Sequence, residues 1–141
     1  MSHISLDQAR IIIATAFAKG QELSLKPLSV VVLDAGGHPI AFERQDGASS
    51  GRFAIATGKA AGALFLGVPS RKVGEMALER PTFLASLGPL APSGIVPAAG
   101  GVIVVDHDRA IGAVGVTGDT SDNDETAALA GIAAAGLAAQ A

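Results

Sequence analysis

The period of the apolar positions changes several times along the chain, and each change marks an element. Ser5-Leu6-Asp7-Gln8 has the form of a capping box, in which a serine takes the N3 amide and a glutamine returns to the serine amide. From there Leu6, Ala9, Ile13, Ala16 and Phe17 recur three or four residues apart, with Ile12 widening the stripe, so a helix is predicted that ends at Gly20. Pro27 resets the chain, and the continuous β-branched run from Leu28 to Leu33 predicts a strand covered on both faces. Asp34-Ala35-Gly36-Gly37 supplies turn residues, after which His38 to Arg44 returns as an antiparallel strand, Ile40 and Phe42 on one face and Ala41 and Glu43 on the other.

A polar loop from Gln45 to Ser50 follows, and Ser49 or Ser50 is the expected cap of a second helix reaching about Leu66. Its many alanines and Gly62 give this helix a thin surface, suited to close approach of the sheet or another helix. Pro69-Ser70 opens a third, shorter helix through Val73, Met76 and Ala77, which Pro81 stops before the apolar Phe83-Leu84. Gly88 to Gly101, with three prolines, reads as an ordered surface loop. The clearest hairpin joins Gly101–Asp106 to Ala110–Thr117 around His107-Asp108-Arg109, and the chain closes with a loop to Asn123 and an alanine-rich helix from Asp124 to Ala139. No internal repeat or linker interrupts this order, so residues 1–141 are expected to form a single domain: an antiparallel sheet carrying helices.

Composition narrows the chemistry. Without cysteine the chain has no disulfide, thiolate nucleophile or thiolate metal ligand, and without tyrosine it has no phenolate. A formal charge of −3 and only 5 phenylalanines as aromatic residues speak against nucleic acid as a partner. Every apolar run is broken well short of a membrane span, and the start of the chain does not read as a signal peptide, so a cytoplasmic setting without membrane contact is expected.

Several residues invite chemistry, each with a plainer alternative. Arg44, Asp46 and Gly47 end the second strand; the guanidinium could grip a small carboxylate through its bidentate fork while the glycine lets the ligand approach the backbone, or Arg44 and Asp46 could simply pair and close the turn. Lys59, in an apolar helix, reads either as a buried amine or as a lysine snorkelling to solvent. Thr117 with the Gly118 amide ends a strand where a hydroxyl and a backbone donor can meet a ligand. His3, His38 and His107 lack metal-site spacing and read as solvated surface side chains unless one becomes an axial ligand.

Together, Val31-Val32-Leu33-Asp34-Ala35-Gly36-Gly37, Arg44-Gln45-Asp46-Gly47-Ala48, Lys59-Ala60-Ala61, Gly100-Gly101 and Gly112-Ala113-Val114-Gly115-Val116-Thr117-Gly118 resemble the GlcG/HbpS-like family over nearly the whole chain. The resemblance implies a profilin-like three-layer α/β/α sandwich around a five-stranded antiparallel sheet, assembled into a homo-oligomer. It also implies a small-molecule ligand, a tetrapyrrole such as haem or a corrinoid, handled in sensing or storage, in a pocket bounded by Asp46-Gly47, Gly100-Gly101 and Thr117-Gly118-Asp119. His3 and His38 are then the candidate iron ligands. The rival expectation is an enzyme acting on a small organic acid, with Arg44 orienting the carboxylate, Asp46 or Asp119 as general base and Lys59 as electrostatic stabiliser.

Overall fold

The structure, a computed structural model, describes residues 3–141. In chain order its elements are α1 (Leu6–Glu22), β1 (Ser29–Asp34), β2 (Pro39–Arg44), α2 (Arg52–Leu66), α3 (Ser70–Glu79), α4 (Pro81–Leu87), a 3₁₀ turn (Gly88–Leu90), β3 (Gly101–Asp106), β4 (Arg109–Thr117), α5 (Ser121–Ala134) and the short β5 (Ala138–Ala139). The five strands form one antiparallel sheet in the order β2-β1-β4-β3-β5. This is the expected three-layer sandwich.

Strand alternation divides the core between two layers. Val30 and Val32 of β1, Val102 and Val104 of β3, and Val114 and Val116 of β4 point to α1 and α5, where they meet Ile12, Ile13 and Ile132. The opposite face carries Val31, Leu33 and Ala113, packed on Ala56 and Ala60 of α2. Because β1 and β4 are sandwiched between both layers, their sequences are apolar at almost every position.

Glycines set the spacing of the α2 layer. A side chain on Gly115 would collide with the carbonyl of Ala56, and one on Gly101 with the carbonyl of Lys59, so α2 lies directly on the sheet backbone. The thin helix is thus used within the chain. Its Gly62 faces the backbone of Ile95, where an added Cβ would stand 3.1 Å from the Ile95 Cα, and the amide of Val96 donates to the Gly58 carbonyl at 3.2 Å.

Several boundaries differ from the sequence reading, each for a local reason. The capping box at Ser5 forms, but α1 runs past Gly20 to Glu22, since Gly20 serves packing: a Cβ there would sit 2.9 Å from Leu28 Cδ1. Neither Ser49 nor Ser50 caps α2; its N-cap is Gly51, and Ser49 Oγ instead accepts from Arg52 Nε at 3.2 Å. Pro81 stops α3 yet begins α4, as proline can at a first helical position. His107 and Asp108 both adopt positive φ, 51° and 63°, giving the β3–β4 hairpin a two-residue turn, and Arg109 belongs to β4. The last helix starts at Ser121, where Thr120 caps it, and ends at Ala134; Ala138 and Ala139 instead pair with Val105 and Val104 as the fifth strand. Among the described residues no single helix is long and apolar enough to cross a membrane, and α2 with α3 passes that test only as a pair bent by 79°.

Candidate functional site

The segments expected to bound one pocket are held by different contacts. Gly100 and Gly101 are buried beneath α2: a Cβ on Gly100 would stand 2.9 Å from Lys59 Nζ, and Ser70 Oγ accepts from the Gly101 amide at 2.7 Å. Close packing of β3 on α2 therefore accounts for Gly101, while Gly100 is also required by its φ of 128° and by the Val116 carbonyl that a side chain there would strike.

Lys59 does not snorkel. Its side chain is buried, the residue 3% exposed, and Nζ donates at 3.0 Å to the Val116 carbonyl and at 3.0 Å to Asp124 Oδ2. Asp124, only 1% exposed, also accepts from the Asp119 amide through Oδ1. Burial pushes the Asp124 carboxyl above the usual carboxylate range, and the Lys59 charge opposes that rise. The pair ties α2 to the first turn of α5 past the end of β4.

Thr117 is 1% exposed, and its hydroxyl accepts from Arg52 Nη1 at 2.9 Å. Gly118 has φ of 144°, and a side chain there would strike the Pro27 carbonyl. Asp119 is committed on both oxygens: Oδ1 accepts from the Lys26 amide at 3.0 Å and Oδ2 from Asn123 Nδ2 at 2.8 Å. These bonds, the Asn123 one foremost, hold its carboxyl down at about 2, which makes it a weak base at neutral pH.

Arg44 and Asp46 lie on the surface, and no ion pair joins them among the described residues. Both line an open groove of about 560 Å³ between β2 and the end of α1, with Phe17, Leu25 and Pro27 as its apolar wall and Glu43 as a second acid. Gly47, at φ of 90°, makes the turn beside it.

The histidines separate clearly. His107 sits at the hairpin tip, with Nδ1 2.9 Å from Asp106 Oδ1. His3 lines a cleft of about 250 Å³ with Gln8, Asp106 and Ile111. His38 stands at the β1–β2 turn on a groove of about 300 Å³ whose walls are largely carbon, from Ala61, Leu64 and Phe65 of α2 and Pro92 of the following loop. Asp34 fixes that turn, since its Oδ1 accepts from the amides of Gly36 and His38, both at 2.9 Å.

Sequence reasoning missed Arg52 and Asp124. Arg52 carries no periodic signal, whereas an apolar helix holding one lysine does ask for a distant acid. Asp124 answers it from 65 positions away.

The chain belongs to the HbpS-like haem degrading protein family, whose family model matches residues 4–133. Among solved structures it is similar to the crystal structure of HbpS, with 26% identity, 94% of this chain and 90% of that one covered, and a TM-score of 0.81. It is likewise similar to the ORFY protein of Klebsiella pneumoniae, of family DUF336, at 26% identity over 96% and 92% of the two chains and a TM-score of 0.86. The haem complex of PduOC shares the fold at 21% identity, with 99% of each chain covered and a TM-score of 0.86. No curated protein matches the chain.

Proposed function

We propose that this protein binds a tetrapyrrole, haem, in the groove beside the β1–β2 turn, with His38 as the iron ligand. The observation that carries the reading is an imidazole standing over a mostly hydrocarbon groove. The walls from α2 and Pro92 suit the macrocycle's flat apolar faces, and the exposed histidine has a nitrogen to offer. Neither cysteine nor tyrosine is available as an alternative ligand. Bound haem would supply an iron centre able to exchange electrons or take a second ligand. The protein's own part is positional: Asp34 holds the turn, the turn presents His38, and Leu64 and Phe65 exclude water. Membership of the HbpS-like family and the haem complex of PduOC support the same ligand class.

We further propose that the protein acts in haem storage or sensing as a homo-oligomer. Leu78 (86% exposed), Phe83 and Leu90 leave an apolar surface on α3, α4 and the 3₁₀ turn, in keeping with subunit contact. Titration with hemin tests the ligand. A saturable Soret shift is expected, and it should weaken at least tenfold in Phe65→Glu, whose charge would enter the groove. No shift with the unaltered protein would end the haem reading.

A further inference from the structure

The start of α2 carries a feature that the haem reading leaves unused. The side chain of Arg52 is fixed at two points, Nε on Ser49 Oγ at 3.2 Å and Nη1 on Thr117 Oγ1 at 2.9 Å, yet no carboxylate pairs with it among the described residues. A half-buried guanidinium oriented by hydroxyls and lacking a counter-ion is a fork awaiting an oxyanion. The helix behind it begins without a side-chain cap; the Arg52 amide donates to the Ser49 carbonyl at 3.3 Å, while those of Phe53 and Ala54 have no partner within the helix and carry the positive end of its dipole.

A second, independent observation lies beside it. Ser29 is fully buried, and its hydroxyl has no hydrogen-bond partner among the described residues. In the β1–β4 register Ser29 stands directly opposite Thr117, which places both side chains on the α2 face, so the unpartnered hydroxyl neighbours the one that receives Arg52. A buried hydroxyl normally finds a partner, and none lies within hydrogen-bond distance of this one among the described residues. On the other side of Ser29 the register places Arg44, on the same face as Phe42, which stacks edge-on against Phe53 with ring centres 4.8 Å apart.

We propose that the start of α2 is a binding site for a small oxyanion, a carboxylate or phosphate group, gripped by Arg52 and completed by the Ser29 hydroxyl and the free amides of Phe53 and Ala54. This site lies at the opposite end of α2 from the His38 groove and does not depend on haem. The test is calorimetric titration of the whole protein with malonate and, separately, with inorganic phosphate, in sodium chloride of fixed ionic strength. Saturable binding of one of them is expected, the preferred one naming the ligand's chemistry. Arg52→Lys, which keeps the charge and loses the fork, should weaken binding at least tenfold. Ser29→Ala should weaken it several-fold without lowering the melting temperature of the unliganded protein, and both variants should retain the hemin spectrum. Absence of saturable binding to either anion would overturn the proposal, as would unchanged affinity in Arg52→Lys or in Ser29→Ala.

Discussion

Two buried or bonded carboxylates show how much a single side chain depends on its setting. Asp124 is out of water, and the Lys59 ammonium 3.0 Å away, with the Asp119 amide on its other oxygen, makes its charge tolerable. Removing one member of such a pair strands the other, so Lys59→Met should cost about 3–5 kcal/mol in urea unfolding, and adding Asp124→Leu should restore much of that loss. A double variant no more stable than Lys59→Met would show that the pair is not the reason for the cost. Asp119 works in the opposite sense. Its carboxyl is held at about 2 against an ordinary 3.8, so the folded state binds a proton less readily than the unfolded chain. The stability it contributes is fully present above the ordinary value and is lost as pH falls toward about 2. Asp119→Asn should therefore flatten the acid limb of the stability profile over that interval; an unchanged limb would contradict the assignment.

At the scale of elements, α2 is positioned by what the sheet lacks. Gly115→Ala would drive a methyl group into the Ala56 carbonyl, and because that atom is backbone the helix itself must move. A loss of about 1–3 kcal/mol is expected from such overpacking, read as a lower midpoint in denaturant. Gly37→Ala makes a useful contrast: space around it is open, so any cost comes only from its φ of 84°. The elements whose periods are strong, α1 with its capping box and the β1–β2 and β3–β4 hairpins, were legible in the sequence. Residues 133–139 were not, because a run of alanines carries no helical stripe that would mark where α5 ends and β5 begins. The thin face of α2 announced close packing, but not that its partners are the sheet glycines and Ile95. The candidate site was legible only in parts. Arg44, His38 and Thr117 stand out as residue types, whereas the Lys59–Asp124 and Arg52–Thr117 bonds join positions 65 apart and exist only once the layers are stacked.

Across the whole molecule, the architecture is that of the HbpS-like family. The proposed oligomer is tested by light scattering at micromolar concentration, where a mass of several chains is expected. Leu78→Lys, on the most exposed of the large apolar residues among those described, should shift it toward the monomer; a monodisperse wild-type monomer would reject the assembly. The binding of haem through His38 is tested most directly by the absorption spectrum of the hemin-loaded protein with and without that imidazole. His38→Ala should lose the ligand-bound Soret shift, His3→Ala should keep it, and free imidazole added to His38→Ala should restore it. A His38→Ala spectrum identical to that of the wild type would contradict the assignment.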